Sequence, residues 1–342
     1  MNNKKVLLTG ITGFLGSHTA IQLLNKGYEV TGTLRSMDRA GSIKEIIASH
    51  TAYAGNLSFA EADLTDRNIW VELTKNVDYV QHIASPFPKE LPKHEEDLIL
   101  PAREGTLNIL KAAAGNKVKR MVIASSLAAV VYGKNKTEMD RIFNETDWTD
   151  ETNIKDTSPY FRSKAMAEKA AWNFIKQDSS GLELTTVCPG AILGPVLEKD
   201  FSASVNIVIK MLDGSSPALP KMGFDIVDVR SVADLLIRAM EMPQAAGNRY
   251  IASAGYLSFK EVAQVLKQQY PGRKIPSKEL PNFAIRLFSM FEPSLKPILI
   301  ELGKKRKTDI SKAKKELHWQ PLSVQEAVTA CAKSIIENGI IK

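Results

Sequence analysis

The chain has 342 residues, enough for one large core or for one core plus a smaller annex, and its 44% apolar and 24% charged side chains are a balance typical of a soluble globular protein. The formal net charge is +7, and the two cysteines, Cys188 and Cys331, belong to no metal-ligand cluster and form no disulfide framework. No apolar run reaches the ~18 residues that cross a bilayer, and the N-terminus lacks a secretory signal, so we predict a cytoplasmic protein without a metal.

Through the first 190 residues, short apolar runs alternate with amphipathic segments. The runs with strand character are KKVLLTG, YEVTGTL, LSFAEAD, VDYVQHIA, RMVIASS and LELTTVCPG. Helices are predicted between them, at residues 13–25, 39–49, 67–74, 95–114 and 159–176. Nearly continuous apolar strands separated by helices predict a parallel sheet covered on both faces. Right-handed crossovers then give an α/β fold of the doubly wound, Rossmann type.

After Pro189 the pattern changes, because proline and glycine become frequent and separate shorter helical segments. The run DVRSVADLLIRAMEM is a strongly periodic helix, and NRYIAS is one more strand of the main sheet. Further helices are predicted at residues 201–212, 259–269 and 282–290. We therefore predict a Rossmann domain formed by residues 1–189 and 226–252, and a smaller, mainly helical substrate-binding region formed by residues 190–225 and 253–342.

Basic residues are concentrated near the C-terminus, in the run KKRK at residues 304–307 and at Lys312, Lys314 and Lys315. A nucleic-acid interface would combine such a run with interleaved aromatic residues or a known binding module, and the sequence has neither. We therefore predict a solvated basic face and no nucleic-acid partner.

The first predicted strand ends in a glycine-rich turn, VLLTGITGFLGSH, which spaces Gly10, Gly13 and Gly16 as G-x-x-G-x-x-G. The turn follows a buried N-terminal strand and opens a helix, which is the context of a dinucleotide-binding loop. In such a loop the diphosphate approaches the backbone, and the free N–H groups of the helix start receive the phosphate charge. The alternative is a glycine-rich turn without a ligand.

The end of the second strand indicates which nicotinamide cofactor is bound. A carboxylate about 20 residues past the glycines would bind the ribose 2′-hydroxyl of NAD. This sequence has Arg35 there, with Arg39 one turn further, and a guanidinium binds a 2′-phosphate through a forked, charge-assisted contact. The sequence thus predicts NADPH, with an exposed strand-end arginine as the alternative. Asp63, at the end of the third strand, either binds the adenine amine or caps the next helix.

The stretch SPYFRSKAMAEKAAW places Tyr160 and Lys164 one turn apart on a helix that Ser158 caps and Pro159 begins. A neighbouring ammonium and the positive end of the helix both favour a phenolate, so we predict that the pKa of Tyr160 is lowered from ~10. Such a tyrosine can pass a proton to a carbonyl oxygen at neutral pH. A packed tyrosine beside a solvated lysine is the alternative, and the glycine loop upstream favours the catalytic interpretation.

Two serines, Ser125 and Ser126, follow the fifth strand, at the sheet edge where open parallel sheets bind ligands. One of these hydroxyls can hydrogen-bond a substrate carbonyl. Ser126 is the favoured candidate and Ser125 stays open. In the alternative interpretation both hydroxyls satisfy local backbone groups.

These motifs together resemble the extended short-chain dehydrogenase/reductases. Within them the chain is similar to the branch of dihydroflavonol reductases, cinnamoyl-CoA reductases and yeast-type methylglyoxal or ketone reductases. The matching pieces run in order over nearly the whole chain: TGITGFLGSH, GTLRS, ADLTD, HIASPF, EGTLNILKAA, ASSLAAVVYG, YFRSKAMAEKAAW, CPGAILGP, DVRSVADLLIRAM and LHWQPLSVQEAV. The piece ASSLAAVVYG departs slightly from the family pattern SSxxxVYG, which is why Ser125 stays open.

The resemblance implies that Ser126, Tyr160 and Lys164 are catalytic, with Lys164 also binding the nicotinamide ribose. It implies that Gly10, Gly13, Gly16 and Arg35 bind NADP, and that Ile83, Ala84, Ser85, Pro189 and Gly190 lie along the cofactor. The predicted cofactor set is completed by Thr12, Phe14, Leu15, Arg39, Asp63, Leu64 and Ile192. Candidate walls of the substrate site are Phe87, Phe201, Met211, Met222 and Phe224, each of which packs in the core in the alternative interpretation.

The resulting hypothesis is an NADPH-dependent carbonyl reductase that transfers hydride to a small or medium apolar aldehyde or ketone. Tyr160 is its proton donor and Ser126 polarises the carbonyl. We expect a monomer or homodimer that binds no membrane. Two alternatives remain. An NAD-dependent nucleotide-sugar epimerase or dehydratase on the same scaffold would usually have an acidic residue in place of Arg35, and a non-catalytic NADP-sensing regulatory protein would need only the glycine loop.

Overall fold

The computed structural model describes residues 4–86, 94–139, 141–199, 201–291 and 298–341. Its strands are β1 Lys5–Thr9, β2 Glu29–Leu34, β3 Leu57–Glu61, β4 Tyr79–His82, β5 Arg120–Ala124, β6 Ile142–Phe143, β7 Glu183–Pro189, β8 Ala191–Leu193, β9 Leu219–Pro220, β10 Gly223–Asp228, β11 Arg249–Ala252, β12 Gly255–Ser258, β13 Glu279–Leu280 and β14 Lys307–Thr308. Its α-helices are α1 Phe14–Asn25, α2 Ala40–Ala48, α3 Arg67–Leu73, α4 Glu96–Gly115, α5 Pro159–Gln177, α6 Val205–Leu212, α7 Val229–Glu241, α8 Phe259–Gln269, α9 Asn282–Phe288, α10 Ser311–Leu317 and α11 Val324–Glu337.

The main sheet consists, in the described part of the chain, of seven parallel strands in the order β11-β7-β5-β4-β1-β2-β3. The chain builds outward from β1 through β2 to β3, then returns to the other side of β1 with β4. The strand order therefore reverses between β1 and β4, and the crevice at such a reversal is where open α/β sheets bind their ligands. This is the doubly wound α/β fold that the sequence predicts.

Alternating side chains of the strands explain why helices cover both faces of the sheet. Leu7 is fully buried on the face covered by α3, α4 and α5, where it joins a cluster with Ile109. Its neighbour Leu8 is fully buried on the other face, in the cluster of Leu24 from α1 and Leu235 from α7. Each such side chain contributes roughly 1.5–3 kcal/mol of burial free energy, so the sheet is stabilised from both sides.

The strand β11 is part of the main sheet and the helix α7 packs against that sheet, although the chain leaves the sheet after β7. The carboxyl end of α7 is held by the buried Arg120 of β5, whose Nη1 donates to the carbonyl oxygens of Ala239, Met240 and Met242 at 2.9, 3.1 and 2.6 Å. The Glu183 carboxylate lies 2.7 Å from the same guanidinium. A carboxylate and the negative end of a helix thus neutralise this buried charge.

A second region is formed by the residues outside the main sheet. β10 pairs with β8 in parallel and with β12 antiparallel, and α6, α8 and α11 pack around this small sheet. Short parallel pairs join β13 to β9 and β14 to β6. The region is mainly helical, as predicted. Its strands were not predicted, because runs of two to six residues among prolines and glycines give no readable periodicity. The predicted domain boundaries remain a prediction.

Most predicted helices are confirmed, with ends that differ by no more than two residues. The largest difference is in α6, which begins at Val205 rather than 201. α9 ends at Phe288 rather than 290. The run NRYIAS supplies β11, which pairs with β7 as predicted. Within the described residues, no helix is both long enough and apolar enough to cross a bilayer.

Two residues of the basic run 304–307 form ion pairs within the fold, whereas the prediction was a solvated basic face. Arg306 is 6% exposed; its Nη2 lies 2.5 Å from Asp156, its Nη1 lies 2.8 Å from Glu301, and its guanidinium lies 4.5 Å from the centre of the Tyr132 ring. Lys304 pairs with Asp156 as well. The prediction of a solvated basic face is therefore wrong for these two residues, because carboxylates distant in sequence or further up the same segment neutralise them.

Candidate active site

The glycine turn after β1 forms a narrow cradle at the switch point of the sheet. Gly10 has a φ of +74°, and a Cβ atom added there would lie 2.9 Å from the Cα atom of Ala84. A Cβ added to Gly16 would lie 2.1 Å from the Gly10 carbonyl oxygen. Gly13 is the N-cap of α1, and no side chain in the described part of the chain caps that helix end. The cradle thus requires glycine and leaves the helix N-terminus to a ligand.

The carboxyl end of β4 is fastened to this cradle by Thr9, the last residue of β1. The Thr9 hydroxyl accepts the backbone N–H groups of Ile83 and Ala84, both at 3.1 Å, and lies 2.9 Å from Nδ1 of His82. Burial lowers the pKa of His82 to about 3, so its imidazole is neutral at pH 7. Three of the predicted cofactor positions, Ile83, Ala84 and Ser85, therefore follow a rigid strand end beside the glycines.

The far end of the cradle carries the residues predicted to choose the cofactor. Arg35 is exposed at the end of β2. Asp63 accepts hydrogen bonds from the backbone and hydroxyl of Thr65, which lower its pKa together with a smaller effect of Arg35. The alternative that Asp63 caps the next helix is wrong, because Asp66 is the N-cap of α3. The contact of Asp63 with adenine stays a prediction.

Arg39, the second predicted phosphate ligand, is engaged by a partner that the sequence did not predict. Its Nη2 donates to Oε2 of Glu198 at 2.7 Å. Glu198 lies between β8 and α6, outside the main sheet and 159 positions away in the chain. The ion pair therefore joins the end of the cofactor cradle to the second region.

Tyr160 lies in the first turn of α5, as predicted. Ser158 is the N-cap of this helix and accepts the backbone N–H of Phe161 at 3.3 Å, and Pro159 occupies its first turn. The Ser126 hydroxyl lies near the Tyr160 phenol and acts to lower its pKa, but burial outweighs this effect and raises the pKa. The predicted lowering of the pKa is therefore wrong for this structure, since loss of hydration outweighs the effect of Ser126.

The two serines after β5 face different partners. Ser125 is buried, and its hydroxyl donates to Oε2 of Glu168 at 2.6 Å. Ser126 is less buried, accepts the backbone N–H of Ala128 at 3.1 Å and meets Tyr160. Of the two serines, Ser126 is the better placed to bind a substrate carbonyl, because the Ser125 hydroxyl already donates its hydrogen bond to a buried carboxylate.

Lys164 lies one turn after Tyr160 and lines a small cavity at the carboxyl ends of β4 and β5. Burial lowers its pKa to about 8, while the charge of Glu168 acts in the opposite direction. The other residues lining the cavity are His82, Ala84, Ser85, Ala102, Thr106, Ile123, Ala124, Ser125, Ala167 and Glu168. The structure thus brings the predicted lysine together with two predicted cofactor positions, Ala84 and Ser85.

Beneath this cavity lies a buried ion pair that the sequence did not predict. Glu168 is 2% exposed and accepts from the Thr186 hydroxyl and from Nε of Arg249, both at 2.7 Å. The Arg249 guanidinium also lies 3.6 Å from the centre of the Trp148 ring. Burial acts to raise the pKa of Glu168, but Arg249 and the hydroxyls outweigh it and lower the pKa. In the sequence, only the four-residue helical spacing from Lys164 to Glu168 indicated that Glu168 lies close to the site.

The predicted contact residues after β7 lie at the junction of the two sheets. Pro189 ends β7, and a Cβ added to Gly190 would lie 2.2 Å from the Asp225 carbonyl oxygen, so only glycine fits there. Ile192 lies half-buried on β8. Elsewhere on the cofactor edge, Leu64 packs against α4, where its carbonyl accepts from Asn108 at 3.1 Å. Thr12, Phe14 and Leu15 belong to the glycine turn and the first turn of α1.

The predicted substrate walls separate into different environments. Met211 and Met222 are each 3% exposed, and Met211 packs in the large core cluster, so both behave as core residues. Phe201 is half-buried against that cluster. Phe224 lines a small apolar cavity on the three-stranded sheet with Ala191, Leu193, Ile207, Ile226, Leu257, Phe259 and Val262. Phe87 lies outside the described residues. Among all the residues that the structure describes, no group of three or more His, Cys, Asp or Glu could hold a metal ion.

The comparison with protein families agrees with this geometry. The model of the NAD dependent epimerase/dehydratase family matches residues 6–253, a span that holds the glycine cradle, Ser126, Tyr160 and Lys164. The chain belongs to this family.

Individual relatives in the family are oxidoreductases. One from Schizosaccharomyces pombe is 34% identical over 287 residues, 80% of this chain and 84% of that protein. Cinnamoyl-CoA reductase 1 of Petunia hybrida is 33% identical over 281 residues, 81% of each chain. The solved structure of the yeast methylglyoxal/isovaleraldehyde reductase Gre2 complexed with NADPH has a TM-score of 0.82 and 27% identity, and the match covers 98% of this chain and 100% of that one. The predicted family and the predicted enzyme class, an oxidoreductase, are confirmed.

Proposed function

We propose that the protein is an NADPH-dependent carbonyl reductase in which Tyr160 donates the proton and Ser126 and Lys164 assist. The observation that carries this proposal is the cluster at the carboxyl edge of the sheet. There the Ser126 hydroxyl lies near the Tyr160 phenol, and Lys164 follows one turn later beside Ala84 and Ser85. A regulatory protein that only senses the cofactor would need the glycine cradle but not this cluster.

The residues present fit a dinucleotide phosphate. Gly10 and Gly16, where an added Cβ atom would collide with backbone, permit the tight turn and the close packing of α1 that such a loop needs, and Gly13 is the glycine beside which a diphosphate approaches the backbone. The exposed cationic end of β2, Arg35, suits a 2′-phosphate better than a ribose hydroxyl. The similarly built yeast reductase is described as complexed with NADPH, which supports the same cofactor here. When bound, the cofactor supplies a hydride for the carbonyl carbon.

The chain itself supplies the acid and its surroundings. Tyr160 gives its phenol proton to the carbonyl oxygen, which then forms an alcohol, and the raised pKa keeps that proton in place at neutral pH. Ser126, whose hydroxyl lies near the phenol, hydrogen-bonds the same carbonyl oxygen in this proposal. Lys164 provides a cation beside the tyrosine, which stabilises the phenolate left behind. Glu168, one turn below Lys164 and paired with Arg249, opposes the loss of that cation's proton.

Carbonyl reduction is expected to decline as the pH rises through about 8. The pKa of Lys164 is lowered to about 8, so the lysine is charged below that pH and neutral above it, while the raised pKa of Tyr160 keeps the phenol protonated through the same range. The measurement is kcat for NADPH oxidation at saturating substrate between pH 6 and 10.

The matched control for this pH profile is Lys164→Arg, because arginine keeps its charge throughout that range. We expect a lower overall rate and no decline near pH 8. A decline that survives unchanged in Lys164→Arg would assign it to another group.

The proposed substrates are small or medium apolar aldehydes and ketones, including aryl and 2-oxo compounds. The support is the similarity to a reductase of small carbonyl compounds, since the cavity that Phe224 lines has room for only about one water molecule and is no substrate pocket. A nucleotide-sugar site would instead need cationic and polar groups directed at a diphosphate. The yeast reductase is described as acting on methylglyoxal and isovaleraldehyde, both small carbonyl compounds.

The test follows the loss of NADPH absorbance with benzaldehyde-type, aliphatic, 2-keto-ester and methylglyoxal substrates, beside UDP- and GDP-sugars. We expect reduction of several free carbonyls and no turnover of the nucleotide sugars. The family name also covers epimerases and dehydratases, which makes this rival the one to exclude. Turnover of a nucleotide sugar without reduction of any free carbonyl would replace the reductase by that rival.

A further inference from the structure

We propose that Glu198 competes with the 2′-phosphate of NADPH for Arg39, and thereby sets the protein's affinity for that cofactor. The proposal rests on the proposed function, because it takes NADPH as the cofactor. It adds a residue of the second region to the determinants of cofactor specificity, which otherwise lie after β2.

The backbone just before Glu198 is held by three hydrogen bonds. The Val196 N–H donates to the Ser334 hydroxyl at 2.8 Å, and the Asn338 side chain donates to the Val196 carbonyl oxygen at 2.7 Å. On the other side, Nε2 of His18 in α1 donates to the Pro195 carbonyl oxygen at 2.9 Å. Glu198 follows two residues later, so its carboxylate is presented to Arg39 by a fixed piece of chain.

The ion pair engages one of the two arginines that are predicted to bind the 2′-phosphate. Arg39 precedes α2 and lies one turn after Arg35, and its side chain is 42% exposed, against 20% for Glu198. A guanidinium binds a carboxylate and a phosphate through the same forked contact. A phosphate that reaches Arg39 must therefore either displace the Glu198 carboxylate or lie beside a like charge.

The competition acts on NADPH and not on NADH, because only NADPH carries the phosphate. Removing the negative charge of Glu198 should remove one anion that competes for Arg39, together with its repulsion of the phosphate. Partly exposed ion pairs are worth modest energies, so the expected gain in NADPH affinity is about three- to tenfold. The affinity for NADH should stay within about twofold, since its ribose meets no charge from Glu198.

The experiment measures the Kd of 2′,5′-ADP and of 5′-AMP by titration calorimetry, so that it does not depend on turnover. Glu198→Gln is compared with Arg39→Met, with the double variant, and with Glu337→Gln. The last removes the same charge from an exposed pair on α11. We expect Glu198→Gln to tighten 2′,5′-ADP binding by about three- to tenfold and to leave 5′-AMP unchanged. Glu337→Gln should change neither, and Glu198→Gln should have no effect once Arg39 is methionine.

Other outcomes contradict the proposal in distinguishable ways. Equal tightening of both ligands, or tightening that persists without Arg39, would mean that Glu198 acts through overall charge. Weaker binding of both ligands would make Glu198 a partner of the ribose instead of a competitor. If the unaltered protein bound 2′,5′-ADP no tighter than 5′-AMP, the NADPH assignment and this proposal would both be overturned. If only Glu198→Gln had no effect, the proposed function would stand and the competition would not.

Discussion

Replacing Tyr160 by phenylalanine is expected to lower kcat for carbonyl reduction by about 10²–10⁴-fold, the usual contribution of a general acid. The substitution keeps the ring that packs beside Phe161 and removes the hydroxyl that lies near Ser126. Binding of NADPH should be retained, because the phenol is not among the groups that hold the phosphates. The measurement combines kcat with a fluorescence titration of NADPH.

The control for this substitution is Tyr53→Phe, which removes a hydroxyl from a tyrosine that is 51% exposed and lies before β3. It should have no effect on kcat. Normal turnover in Tyr160→Phe would exclude the tyrosine as the proton donor. Loss of turnover together with loss of NADPH binding would mean that the variant disturbs the site as a whole.

Arg35→Asp is expected to abolish or reverse the preference for NADPH, which we predict to be about ten- to a hundredfold over NADH in kcat/KM. A charge-assisted contact to a phosphate is worth roughly 1.5–3 kcal/mol, which corresponds to that ratio. A carboxylate at the same place repels a 2′-phosphate and accepts a hydrogen bond from the ribose hydroxyl of NADH. The measurement is kcat/KM with each cofactor for both proteins.

Lys176→Asp makes the same change of charge near the end of α5, at the opposite edge of the sheet, where Lys176 is exposed. It should leave the preference unchanged. Equal kcat/KM values for NADPH and NADH in the unaltered protein would remove Arg35 from the assignment, whatever the variants do.

Local patterns in the sequence predicted the main sheet and the position of the candidate site well. The glycine turn, the capped start of α5 and the strand ends are short motifs whose geometry follows from residues a few positions apart. Ser158, Pro159, Tyr160 and Lys164 adopt the predicted arrangement because a helix fixes their spacing. Their roles in the reaction stay predictions until the variants are measured.

Features that depend on distant residues could not be predicted in this way. The pKa of Tyr160 depends on how deeply the phenol is buried, which no spacing reveals, and the expected direction was wrong. Arg306 looked like part of a solvated run, but Asp156 lies 150 positions away and neutralises it. The pair of Arg39 and Glu198 likewise joins segments that meet only in the folded chain.

The return of the chain to the main sheet has a consequence for how the protein matures. On a ribosome β7 emerges before α7 and β11 exist, so β7 is at first an open edge, and Arg120 still awaits the carbonyl oxygens that neutralise it. β8 and α6 of the second region are made in that interval. The nucleotide-binding half therefore cannot finish folding during synthesis until part of the other region has emerged, and a fragment that ends at Pro189 should be prone to aggregate.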